Sequence, residues 1–439
     1  MHNIDDYSRR GFLGKLRGTA AGGLTLAAAK AAFAQSMNQI SELTKAWDAD
    51  EGYWAKIRER FLLEKDFGYL NNGTVGPTPR PVYDNMVQYW QMMAENPNEN
   101  SAILQERVDA IREKASAFLG ATPAEVAILR NATEGNNLVC QGIDLKAGDE
   151  VLIGYLEHDS NRQPWQVKAK RHGIVVKEVP IGTPAKSPEE IRNAFEAAIT
   201  PRTRVISVAH CDTVTGTFSP IREIAALAHS KNILCFADGA QALGMVQLNV
   251  KDLGVDTYAT TCHKWLCSPA GAGLLYVRKE LQERIWPNIV TENWWTFTDA
   301  RKYEHISRRP WPVVAALEDA LDFQLAVGRA RIERRMRSLA SYFRSHAAEI
   351  PGVHLYTSNA PKLSGGLTSL SVENVAPEKL REYLRQRYDL YTAARSKGMR
   401  YPADPHGVTG IRISTHYYNT FEQVDRALQG LRDLAQGKA

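Results

Sequence analysis

Hydrophobic spacing divides the chain into elements before any chemistry is considered. From 79 to 119, apolar residues recur every three or four positions (Val82, Met86, Tyr89, Trp90, then Ile103, Val108, Ile111 and Phe118), which predicts helices. Beyond Ile128-Leu129 the pattern changes. Short, nearly continuous apolar runs at 151–155, 174–179, 205–209, 233–237, 257–260 and 273–277 read as strands buried on both faces, the signature of a mostly parallel sheet. Helical stretches at 188–199 and 221–230 lie between them, and Pro220 suits the first turn of the second. A long helix is expected over 312–349. Strands at 353–355, 367–372 and 411–414 follow, with helices at 377–388 and 421–435.

The alternation implies an α/β architecture, a large domain with a mostly parallel sheet of the seven-stranded type and a small C-terminal α/β domain. A chain of 439 residues exceeds one ordinary domain. The expected boundaries are a leader over 1–34, an N-terminal segment over 35–78, the large domain over 79–308 and the small one over 309–439. No internal repeat is present.

The leader has its own pattern. Ser8-Arg9-Arg10-Gly11-Phe12-Leu13 precedes a mildly apolar run, 18–29, and Ala32-Phe33-Ala34 supplies small residues for a signal peptidase, leaving Gln35 as the new terminus. The run is too short and too weakly apolar for a stable membrane anchor. It resembles a twin-arginine signal, which implies export of the folded protein by the twin-arginine machinery and residence in the periplasm. Charge agrees. The full chain carries 54 basic and 49 acidic residues. Removing Arg9, Arg10, Lys15, Arg17 and Lys30 with Asp5 and Asp6 leaves 49 against 47, a net +2 and no footprint for nucleic acid. The apolar and charged fractions, 44% and 23%, are those of a globular protein. Five cysteines, with no CxxC pair, indicate neither a disulfide framework nor a zinc site, so no metal is expected.

Four segments at expected strand ends carry chemistry, where open α/β sheets gather ligands. Asn131-Ala132-Thr133-Glu134-Gly135 opens a helix; the N–H groups of Ala132 and Thr133 and the Thr133 hydroxyl suit a phosphate, although a plain N-cap has the same sequence. Asp238, with Gln241 three residues on, ends a buried strand, where a carboxylate needs a positive partner such as a protonated pyridine nitrogen. Helix capping by Asp238 is the competing reading. Thr261-Cys262-His263-Lys264-Trp265 places a lysine among apolar and glycine residues, where a depressed pKa makes it a nucleophile toward an aldehyde. Thr261 and His263 add donors for the phosphate. Glu157-His158-Asp159-Ser160-Asn161 offers His158 as a ring to lie flat on another ring, or as a loop histidine.

In this order the phosphate loop, the histidine, Asp-x-x-Gln and His-Lys resemble the class V aminotransferase family of fold-type I pyridoxal phosphate enzymes. Tyr69-Leu70-Asn71-Asn72-Gly73 and Arg412-Ile413-Ser414-Thr415-His416-Tyr417-Tyr418-Asn419-Thr420 extend the likeness, the latter toward the isopenicillin N epimerase-like branch. The resemblance implies pyridoxal 5'-phosphate held as a Schiff base on Lys264, which also shuttles the α-proton. It further implies Asp238 at the pyridine nitrogen, His158 on the ring, Gln241 at the ring hydroxyl, Asn72 and Arg412 toward the substrate, and a homodimer. The activity it implies is transamination of an amino acid or peptide-borne amino acid, with siderophore tailoring as one setting. Epimerisation, or ligand binding without turnover on the same fold, are the alternatives. Two departures stand out. The family's cysteine desulfurases need a nucleophilic cysteine in the small domain, whereas every cysteine here lies at or before Cys267 and 393–402 has none, so desulfuration is not expected. Thr213 stands where relatives carry an asparagine near the substrate carboxylate. Trp294-Trp295, in the aromatic stretch 286–303, are candidate walls of a broad pocket or plain core.

Overall fold

A computed structural model of the chain describes residues 20–43, 50–291, 294–395 and 408–438. The paired arginines of the leader lie outside the described residues. Helix α1 (Ala20–Leu43) runs through the expected cleavage point at Ala34-Gln35 and buries Ile40 in the core. Among the described residues no helix is long and apolar enough to cross a membrane.

The large sheet has seven strands: β2 (Val126–Leu129), β3 (Glu150–Gly154), β4 (Val175–Val179), β5 (Thr203–Ala209), β6 (Leu234–Asp238), β7 (Thr257–Thr261) and β8 (Gly273–Val277), in the order β2-β8-β7-β6-β5-β3-β4. β8 alone runs opposite to the other six strands. Every residue of β2, β3, β7 and β8 is buried, the threonines of β7 and Glu150 of β3 included, as in a sheet covered on both faces. Each fully buried Val, Leu or Ile contributes about 1.5–3 kcal/mol. The register aligns the carboxyl ends that matter, pairing Ala209 with Asp238 and Asp238 with Ala259.

Helices α2 (Arg80–Glu95), α3 (Val108–Leu119), α4 (Ala132–Gly142), α5 (Asp159–His172), α6 (Pro188–Ala198) and α7 (Ile221–Ser230) surround the sheet together with α8 (Trp311–Val327), which packs on α1, α2 and α3. The single helix expected over 312–349 is two. Apolar periodicity continues through Gly328, but its φ of +96 breaks the helix, and α9 (Arg329–Ala348) starts in a new direction.

A second sheet, β12 (Ala393–Arg395), β13 (Gly410–Ser414), β10 (Leu367–Val372) and β9 (Val353–Leu355), is antiparallel throughout. It is covered by α9, α10 (Pro377–Tyr388) and α11 (Phe421–Ala435), whose apolar residues form a core of their own. The N-terminal segment joins it. Strand β1 (Gly68–Tyr69) pairs with β11 (Leu390–Tyr391), and Ser414 N donates to Leu70 O at 2.7 Å. Residues 71–74 are thereby carried to the mouth of the large sheet.

Candidate active site

A cavity of about 340 Å³ opens at the carboxyl ends of β3, β5, β6 and β7. Its walls include Ala132, Thr133, His158, Asp238, Gln241, Thr261, His263, Lys264 and Arg412, nine residues drawn from separate stretches of sequence. The volume suits a small ligand of cofactor size.

At the start of α4, Asn131 caps the helix and its Oδ1 accepts from Glu134 N at 3.0 Å. The N–H groups of Ala132 and Thr133, which have no partner within a helix, line the cavity and make an anion seat. Thr261 Oγ1 and His263 Nδ1 lie 2.8 Å apart on the same cavity. Burial, then the neighbouring Lys264 charge, pushes His263 down to about 4, so it is neutral at working pH.

Asp238 ends β6, buried. Its Oδ2 accepts from Asn136 Nδ2 at 2.7 Å and its Oδ1 from Ala240 N at 2.9 Å. Burial pushes this carboxyl up, while the Ala240 N–H, the Lys264 charge and Asn136 pull the other way. A carboxylate raised by burial is one whose ionisation a nearby cation completes. Glu157, beneath β5, accepts from Ala209 N at 2.7 Å and is pushed up to about 8 by burial. Glu157 is not on the cavity wall, and Asp238 is the one carboxylate among its lining residues. Gly239 follows Asp238 because a Cβ there would lie 2.0 Å from the Tyr258 ring.

Lys264 enters from the turn after β7. Burial lowers its amine from 10.5 to about 8; Asp238 opposes this and Arg412 and Arg395 add to it. His158 caps α5, and its Nδ1 accepts from Ser160 N at 3.0 Å. With Nδ1 engaged as an acceptor, the ring proton of the neutral imidazole belongs on Nε2.

Gln241 lines the cavity, but its amide is committed. Nε2 donates to Gly73 O at 2.8 Å and Thr213 Oγ1 at 3.1 Å, and Oε1 accepts from the indole of Trp265 at 2.8 Å. A contact to a ring hydroxyl would replace one of these bonds. Thr213 is the hub on the opposite wall, where Arg412 Nη1 donates to its Oγ1 at 2.8 Å. Arg412 Nη2 donates to Thr74 Oγ1 at 2.6 Å and Asn71 Oδ1 at 3.2 Å. Asn72 does not reach the cavity. It is fully buried behind it, its Oδ1 accepting from Tyr418 Oη at 3.0 Å, while Gly73 and Thr74 do the lining. The tryptophan pair also stays away: Trp294 and Trp295 form a short turn after β8, with Trp295 exposed and neither on the cavity wall.

The sequence reading missed Thr74, Ser160, Cys211 and Arg395. Ser160 stood inside a quoted motif, Thr74 directly follows one, and Cys211 follows a recognised strand end. Arg395 sits on a three-residue strand too short to show a period.

The class-V aminotransferase family model matches residues 68–427. The chain belongs to the class V aminotransferase family. Among its relatives, isopenicillin N epimerase of Amycolatopsis lactamdurans is 31% identical over 405 residues, covering 87% of this chain and 99% of that protein. A probable cysteine desulfurase of Methanothermobacter thermautotrophicus is 26% identical over 397 residues, covering 86% and 97%. Among solved structures, a C-DES variant with glycine covalently linked to its PLP cofactor shares the fold, with a TM-score of 0.77, 24% identity and coverage of 86% and 99%. The α/β fold and the mixed large sheet are thus those of this class V family.

The residues fit pyridoxal phosphate. One cavity joins an anion seat at a helix start, a buried carboxylate short of a cation and a depressed amine, matching the phosphate, the ring nitrogen and the aldehyde carbon.

Proposed function

We propose that this chain is a pyridoxal-phosphate-dependent enzyme that removes the α-proton of an amino acid, free or peptide-borne, and transfers its amino group. The convergence of Lys264, Asp238 and the Ala132-Thr133 helix start on one cavity carries the reading. When bound, the cofactor supplies an electron sink for charge left on the α-carbon. Ala132 and Thr133 N–H, with Thr261 and His263, would hold its phosphate. Asp238 would supply the negative charge facing its ring nitrogen. Arg412 orients the substrate carboxylate in the planar fork geometry guanidinium favours. Lys264 Nζ, near half-neutral at pH 8, takes the α-proton and returns it.

One amine serving as both acceptor and donor of the proton favours transamination. Epimerisation is the second reading, favoured by the epimerase relative, and needs another donor; the thiol of Cys211, held protonated by burial, lines the same cavity. Desulfuration is disfavoured despite desulfurase-like relatives. All five thiols are buried and pushed up by that burial, away from the nucleophilic thiolate.

Incubation with single amino acids in deuterated buffer, without a keto-acid acceptor, separates the readings. Transamination yields keto acid and the amine form of the cofactor; epimerisation yields inverted, α-deuterated substrate and no keto acid. An absence of both products across amino acids and short peptides contradicts the proposal.

Cofactor capture has a pH signature. Only the neutral amine attacks an aldehyde, so the uptake rate by apo-protein should rise about tenfold per pH unit below the amine's pKa and flatten above it. The break is expected near pH 8. Stopped-flow absorbance that keeps climbing to pH 10 would show an undepressed lysine.

A further inference from the structure

We propose that Asn136 is a positioning residue for Asp238, its amide holding that carboxylate ionised and turned toward the ring nitrogen of the cofactor. This rests on the function proposed above and extends it to a side chain that does not line the cavity. Asp238 lies on the cavity wall and Asn136 stands off it. Both are buried, and Asn136 Nδ2 donates to Asp238 Oδ2 at 2.7 Å. The other oxygen, Oδ1, accepts from Ala240 N at 2.9 Å. An ionised carboxylate has about four acceptor sites, so two remain for the cavity side. The Ala240 donor is backbone, whereas the Asn136 amide is supplied by the sequence.

An amide nitrogen donates and cannot accept, so the contact gains most when Asp238 is charged. Hydrogen bonds onto an ionised acceptor are roughly twice as strong as neutral ones. Burial pushes the Asp238 carboxyl up, and the Ala240 N–H, the Lys264 charge and the Asn136 amide pull it down. The other titratable neighbours give no help. Burial pushes Glu157 and Tyr258 up, and a negative charge on either would push Asp238 up with them.

Helix α4 makes the contact possible. Asn136 follows Ala132 by four residues, on the same face of the helix and about 6 Å further along its axis. One element thus supplies the anion seat from its first turn and the carboxylate's donor from its second. Gly135 lets the helix lie close against the sheet. A Cβ there would stand 2.9 Å from that of Ala259, the residue that pairs with Asp238 between β6 and β7. Both ends of α4 are held, by Asn131 Oδ1 at its start and by Lys168 Nζ, which donates to Cys140 O at 2.7 Å and to Ile143 O. Asparagine is a weaker helix former than alanine or leucine, and a buried amide is costly without a partner. Asp238 is that partner.

If Asn136 only filled space, the atom at the far side of Asp238 would not matter to it. The test therefore uses two cofactors, pyridoxal phosphate and its carbocyclic analogue with CH in place of the ring nitrogen. Protein stripped of cofactor is titrated with each and followed by absorbance. Asn136→Leu keeps the branched shape and removes the donor. It should weaken pyridoxal phosphate about tenfold and the analogue by less than about twofold. Asn136→Ala should act in the same direction, and unchanged analogue binding in either variant excludes misfolding. With nitrogen-15 in the cofactor ring, the resonance of the unaltered holoenzyme should lie at the protonated position and move toward the unprotonated one in Asn136→Leu at the same pH. Equal losses for the two cofactors overturn the proposal. So does a variant that matches the unaltered protein in both affinity and ring-nitrogen resonance. Failure of the underlying function looks different: the unaltered protein itself would bind neither cofactor, and the proposal would fall with it.

Discussion

Replacing Lys264 with alanine is expected to reduce turnover by about 10⁴-fold or more and to leave pyridoxal phosphate removable by dialysis. The size follows from two roles in one atom. In the proposed mechanism Nζ would form the covalent link to the aldehyde, and the same amine, depressed to about 8, would carry the α-proton. Neither neighbour can take over. His263 is pushed down to about 4 and engaged with Thr261, and His158 Nδ1 is tied to Ser160. The anion seat survives, so the variant should still bind the cofactor, but reversibly and without the absorbance of the lysine-linked form. Full turnover, or absorbance that persists through dialysis, would remove Lys264 from its assigned role.

Asp238→Asn is the second large effect. The shape is nearly kept and the charge facing the ring nitrogen is lost, so kcat should fall by about 10²- to 10³-fold, the scale of one pre-organised electrostatic contact. Stability should move the other way. Burial holds the Asp238 carboxyl above 3.8, so ionising it in the folded apo-protein is disfavoured. The stability linked to its neutral form is fully present below pH 3.8 and is lost as pH rises through the higher folded value. Asparagine removes that loss. Apo Asp238→Asn should therefore melt no lower than the unaltered apo-protein at neutral pH, and relatively higher as pH rises above 3.8. A variant that melts lower with unchanged kcat would make Asp238 a structural cap.

These expectations could be written because strand ends are conspicuous in a buried parallel sheet. Runs such as Val205–Ala209 and Leu234–Asp238 stop being apolar where they leave the core, and the polar residue that follows must face a ligand or a cap. Thr261, His263, Lys264 and the Ala132-Thr133 pair were legible for that reason. The helical break at Gly328 was not, since the apolar period continues through it and only the positive φ ends the helix. β1, β11 and β12 span two or three residues, less than any period can reveal. Asn72 and Thr74 illustrate another limit. Both follow the same short strand, and which one faces the cavity depends on the local turn, where Thr74 N donates to Asn71 O at 3.0 Å. Thr213 was noted as a departure, yet its place at the centre of Gln241, Arg395 and Arg412 comes from three distant segments meeting.

The most direct measurement is borohydride reduction of protein purified with pyridoxal phosphate, followed by peptide mass mapping. The account predicts a single phosphopyridoxyl adduct, on the peptide containing Lys264, with loss of the visible absorbance. A reduced protein with no such adduct, or with it on another lysine, would contradict the assignment on which the proposed chemistry stands.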